Sequence, residues 1–145
     1  MFLGIFAAFI SSCSSLDTKS QTGIKGDWRI SDVSYSGSDF IKVNSFDIAD
    51  SKCLEGSSWK FVSSNNKGEM SLNKTGCPLF SSPIIWSVTK DGLFTLKITE
   101  GEKAKRVTQG YNLRMRNQTD SSFQLIDNVN VGGRNVEVVY QFQKM

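Results

Sequence analysis

From Trp28 to the C-terminus the chain reads as short segments in which apolar and polar side chains alternate. Trp59 and Phe61 share a phase, and Met70 and Leu72 follow against Glu69, Ser71 and Asn73. Ile84, Trp86 and Val88 then alternate with Ile85, Ser87 and Thr89, and Phe94, Leu96 and Ile98 with Thr95, Lys97 and Thr99. Tyr111, Leu113 and Met115 oppose Asn112, Arg114 and Arg116; Phe123 and Leu125 oppose Gln124 and Ile126. Val136, Val138, Tyr140 and Phe142 oppose Asn135, Glu137, Val139 and Gln141. A period of two puts each set on one face of a strand. The first run, Trp28 to Tyr35, slips phase at Ser31-Asp32, which predicts a bulge.

Turn-forming clusters separate these runs: Ser36-Gly37-Ser38-Asp39, Asn65-Asn66-Lys67-Gly68, Lys90-Asp91-Gly92, Asn117-Gln118-Thr119-Asp120 and Val131-Gly132-Gly133-Arg134. Phe40 to Phe46 reads as a short strand or an extended loop, and Asp47 to Cys53 as one or two helical turns ending at Leu54-Glu55-Gly56-Ser57. Glu100 to Gln109 is a polar loop.

About eight strands joined by short connections predict an all-β, eight-stranded antiparallel up-and-down barrel, with one short helix or loop before strand 2. Closure removes both exposed edges. A β-sandwich is the alternative. The inner face of the predicted barrel carries Trp59, Phe61, Met70, Leu72, Trp86, Val88, Phe94, Leu96, Tyr111, Leu113, Met115, Phe123, Leu125, Tyr140 and Phe142. Eight strands leave room for side chains or for one small ligand. The same list therefore suits an apolar binding pocket or a filled core. The aromatic and methionine content favours the pocket, because Met adapts to irregular ligands.

At 145 residues the chain is one domain, and 39% apolar with 21% charged residues is a globular balance. The net charge of +3 is scattered, with one short cluster at Lys103, Lys105 and Arg106, so no nucleic-acid partner is expected. The chain has no histidine. That excludes Ser-His-Asp and Cys-His catalysis and His-ligated metals. No pair of carboxylates shares an inner face, so acid–base hydrolysis has no support. No enzyme activity, cofactor or metal site is expected. Asp127, in phase with Phe123 and Leu125 near a strand end, is the one candidate polar anchor at a barrel mouth.

Phe2 to Ile10 is apolar and too short to span a bilayer, which fits the hydrophobic region of a signal peptide. Ile10-Ser11-Ser12-Cys13 follows, and small residues directly before a Cys resemble a bacterial lipobox. Acylation of Cys13 would anchor the protein to a membrane, each buried methylene contributing about 0.8 kcal/mol. Ser14 to Gly23 is polar and reads as a flexible tether. The expected division is residues 1–12 signal peptide, 13–23 lipidated tether and 24–145 barrel. Cys53 and Cys77 then remain as an even pair in an oxidising compartment. This favours a disulfide over two buried thiols, stabilising by roughly 3–4 kcal/mol.

Gly26-Asp27-Trp28 at the mouth of the first strand resembles the lipocalin signature. Together with Phe46-Asp47, Cys53-Leu54-Glu55-Gly56-Ser57-Ser58-Trp59, Cys77, Ile85-Trp86, Gly110-Tyr111 and the closing Val139-Tyr140-Gln141-Phe142-Gln143-Lys144, the chain resembles the lipocalin-like lipoproteins of Bacteroidetes-type bacteria. The resemblance implies a barrel open at one end that holds a small apolar molecule. Trp28 would plug the other end, Gly26 would let the backbone pass close by, and Lys144 would pack over Trp28. The expected role is a lipid-anchored cell-envelope protein that binds a small hydrophobic ligand. The alternative is a filled barrel that docks an envelope protein partner.

Overall fold

The computed structural model describes residues 16–36, 42–100 and 110–145. Cys13, the cluster at Lys103, Lys105 and Arg106, and part of the first turn lie outside the described residues. In chain order the elements are a short helix α1 (Thr18–Gly23), β1 (Gly26–Tyr35), β2 (Asn44–Ser45), β3 (Ala49–Asp50), a 3₁₀ turn (Ser51–Leu54), β4 (Ser58–Val62), β5 (Lys67–Leu72), β6 (Phe80–Val88), β7 (Leu93–Ile98), β8 (Tyr111–Arg116), β9 (Ser122–Val131) and β10 (Arg134–Lys144). β4 to β10 each pair antiparallel with the next, and β1 closes the ring between β4 and β10. The result is the expected eight-stranded up-and-down barrel, with β2 and β3 forming a separate small hairpin.

The bulge falls where the phase slip predicts it. Ile30 pairs with Phe142 but Asp32 with Gln141, so Ser31 is the extra residue. The insertion returns Val33 to the interior beside Trp28 and Ile30, all three fully buried. The β9–β10 hairpin turns through Gly132 (φ 58°) and Gly133 (φ 83°), the two positive φ values that a tight two-residue turn demands.

Three expectations need correction. The β4–β5 turn spans Ser63 to Asn66, and Gly68 lies inside β5. A Cβ on Gly68 would sit 2.0 Å from the Lys60 carbonyl oxygen, so this glycine serves a close approach of strands. Only the last part of the segment from Asp47 to Cys53 is helical, as the 3₁₀ turn, because Phe46 (φ 55°) and Asp47 (φ 57°) reverse the chain first. Residues 16–23 are not a loose tether. Asp17 caps α1 by accepting from the Ser20 N–H at 3.1 Å, and the Asp17 N–H donates to the Val88 carbonyl at 2.8 Å. Gln21 is buried; its Oε1 accepts from the Val88 N–H (2.9 Å) and from Asn66 Nδ2 (3.1 Å).

Candidate functional site

The barrel has two unlike ends. At the lower end β1 enters and β10 leaves. Trp28 lies across this opening with no exposure, and its Nε1 donates to the Ile24 carbonyl at 2.8 Å. Lys144 Nζ stands 5.5 Å from the Trp28 ring, as expected. Gly26 has a φ of 113°, and a Cβ there would meet Lys144 Cε and Nζ at 3.8 Å. Helix α1 covers what remains, held by Gln21 and by the bond from Gln118 Nε2 to the Ser20 carbonyl at 3.1 Å.

Above this floor the interior is filled with rings. Phe123 and Phe142 stack with centroids 4.6 Å apart, and Trp28 meets Phe123 edge-on at 4.7 Å. Phe61 meets Trp86 at 5.2 Å and Phe94 at 5.9 Å, while Trp86 stacks on Phe94 at 6.0 Å. Trp59 meets Phe142 at 5.5 Å. Such pairs stabilise beyond their buried area, by about 0.5–1.5 kcal/mol each. Of the predicted inner-face residues, Trp59, Phe61, Met70, Leu72, Trp86, Val88, Phe94, Leu96, Leu113, Phe123, Leu125, Tyr140 and Phe142 are buried. Tyr111 and Met115 remain partly exposed. A groove of about 350 Å³ lies along β4 and β5, lined by Asp27, Ser58, Trp59, Lys60, Glu69, Met70, Ser71 and Met145.

The upper end is built differently. The segment from Val43 to Leu54 folds across it, with Val43 and Leu54 fully buried. Phe46 stacks on Tyr140 at 5.4 Å and meets Tyr111 edge-on at 5.1 Å. The Tyr140 hydroxyl hydrogen-bonds to Ser45 Oγ, which lies 2.8 Å from Ser51 Oγ, and Ser51 donates to the Val43 carbonyl at 2.8 Å. Burial pushes the Tyr140 hydroxyl above its ordinary pKa. The expected disulfide between Cys53 and Cys77 fastens this segment to the loop after β5. Glu55 adds a second fastening. Its carboxylate accepts from the Val33 N–H at 3.1 Å and meets Lys74 Nζ at 3.2 Å and Lys52 Nζ at 3.7 Å. Partial burial works against the charged form of Glu55, but these donors hold its pKa below the usual value.

One side of the upper end lacks a ladder. β8 and β9 pair only at Arg114–Ile126, Met115–Leu125 and Arg116–Gln124. Continued upward, that register would set Leu113 against Asp127 and Tyr111 against Val129, and neither pairing forms. Asp127, Val129 and Val131 follow Leu125 on the inner phase of β9 and are all partly exposed. Asp127 pairs with Val138 on its other side, a fully buried residue. Burial pushes its carboxyl pKa up to about 6, opposed only by the Asn128 N–H. Sequence reasoning found Asp127 from its phase. It named Phe46 only within the resemblance and missed Ser45, Ser51 and Gln21, because polar or irregular segments carry no period.

The described residues hold no group of three or more His, Cys, Asp or Glu side chains able to bind a metal, and no helix among them is long and apolar enough to cross a membrane.

No protein-family model matches the chain, and no curated protein matches it in sequence. Among solved structures, a lipocalin-like protein from Bacteroides uniformis superposes with a TM-score of 0.52 at 11% identity, over 85% of this chain and 99% of that one. The barrel is lipocalin-like. Bovine odorant binding protein, solved with a selenium-containing odorant, gives a TM-score of 0.48 at 9% identity, over 93% of this chain and 76% of that one.

Proposed function

We propose that this chain is a lipid-anchored binding protein of the cell envelope that takes a small hydrophobic molecule at the upper mouth of its barrel. The observation that carries the reading is where the inner face stays open. Partly exposed inner-phase positions Tyr111, Asp127, Val129 and Val131 gather on β8 and β9 where the ladder between these strands stops. Concave, mostly apolar surface with few polar groups is what small-molecule sites are made of. The anchor rests on Ile10-Ser11-Ser12-Cys13 after an apolar leader.

Titration with the neutral probe N-phenyl-1-naphthylamine tests the binding claim. A saturable rise in fluorescence is expected in the wild type, and Val129→Trp, which narrows the mouth, is expected to abolish it. No rise in the wild type would overturn the claim. Cys13→Ser is expected to move the protein from the membrane to the soluble fraction, and unchanged partitioning would overturn the anchor.

The ring stack of Phe61, Trp86, Phe94, Phe123 and Phe142 favours a second reading, in which the barrel is filled and the outer wall docks an envelope protein. A wild type that takes up no probe and yields one reproducible crosslinked envelope protein is the result expected of that reading.

A further inference from the structure

We propose that the ligand carries a protonated amine, which the Asp127 carboxylate receives at the gap between β8 and β9, within reach of the aromatic group of Phe46, Tyr111 and Tyr140. This rests on the binding function proposed above.

The argument begins with placement. Asp127 follows Phe123 and Leu125 on the inner phase of β9, so its carboxylate faces the barrel interior and not the solvated wall. Its ladder partner Val138 is fully buried, and the β8 residue that continued register would set opposite it, Leu113, is 1% exposed. A carboxylate on the inner phase beside the buried Val138 has lost part of its water, which requires compensation. Among the described residues the Asn128 N–H is the one group that favours its charged form. An ionised carboxylate can accept several donors, so most of its capacity is unused.

Among the described residues no ion pair to it forms. From β10 the titratable group is the Tyr140 hydroxyl, already bonded to Ser45. From β8 it is Tyr111, whose hydroxyl donates to Asp47 of the covering segment at 3.3 Å. The nearby arginines are on the outer wall, where Arg114 and Arg116 pair with Glu137 at 3.2 and 3.8 Å. The three rings stand as a group, Phe46 lying 5.1 Å from Tyr111 and 5.4 Å from Tyr140. Aromatic faces attract cations, and a desolvated carboxylate attracts them more strongly. A neutral apolar ligand would leave the charge of Asp127 unanswered, and an anionic one would be repelled. An amine on an apolar body answers both the charge and the walls.

Isothermal titration at pH 7.5 with tryptamine and its uncharged analogue 3-ethylindole tests this. Tryptamine is expected to bind about ten- to a hundredfold more tightly. Asp127→Asn is expected to erase that preference and leave 3-ethylindole unaffected. In the wild type the preference is expected to fade between pH 7.5 and pH 5 as the carboxyl takes up a proton, while tryptamine stays charged. This second measurement needs no variant. Equal binding of the two compounds, or a preference that survives Asp127→Asn, overturns the amine assignment and leaves the binding function standing. Binding of neither compound overturns both.

Discussion

The two ends of this barrel are made from the same alternating strands and reach opposite solutions. At the lower end the buried polar side chains are bonded: the Trp28 indole donates to Ile24, and the Gln21 amide meets Val88 and Asn66. At the upper end the covering segment is fastened by a disulfide and by Glu55, yet the β8–β9 ladder stops beneath it and Asp127 sits on the inner phase, paired with no cation among the described residues. A fold optimised only for stability would not place a carboxylate on the inner phase beside Val138. The contrast teaches that the lower end serves the fold, while the upper end keeps a destabilising group for which binding supplies a reason.

The comparison breaks most readily at the floor. Trp28→Ala removes the ring that meets Phe123 and the bond to Ile24, and is expected to cost about 3–5 kcal/mol in urea unfolding. A loss under about 1 kcal/mol would show that the floor is dispensable. Next in size, replacing Cys53 and Cys77 by serine is expected to cost about 2–4 kcal/mol. If the disulfide acts chiefly on the upper covering, hydrogen exchange should quicken at residues 43–54 and stay slow at Trp28 and Ile30.

Asp127→Asn sharpens the contrast by its sign. The folded-state pKa of about 6 lies above the ordinary 3.8, so Asp127 burdens the fold with nothing below pH 3.8 and with its full cost above pH 6. The wild type should therefore lose stability relative to the variant as pH rises through that window, and the variant should melt at the higher temperature at pH 8. Equal melting temperatures at pH 8 would remove the claim that the upper end harbours strain. The smallest effect is expected at Lys144→Met. The ammonium is exposed over Trp28, so its loss should cost about 0.5 kcal/mol in the same urea assay.

Much of this molecule was legible as period-two alternation. Strand faces, the slip at Ser31 and the Gly132-Gly133 turn all follow from where a side chain can point and which residues tolerate positive φ. The disulfide followed from an even cysteine pair in an oxidising compartment. Helix α1 was not legible. Thr18 to Gly23 is short and polar, and what holds it is the burial of Gln21 against Val88 and Asn66, a tertiary contact with no local signature. Gly68 misled because a glycine after Asn-Asn-Lys looks like a turn residue, whereas the Lys60 carbonyl is what forbids a side chain there. Alternation placed Asp127 inside but could not reveal that β8 stops pairing beside it, since register is a property of two strands and not of one.

The docking of Leu16 and Asp17 against Thr89 and Val88 sets the first described residues at the tryptophan-floored end. Anything tied to the segment before Leu16 pulls on the tryptophan-floored end. A bilayer holding that segment would therefore lie beneath the sealed base, and the Asp127 opening would point away from the lipid surface toward whatever diffuses past it.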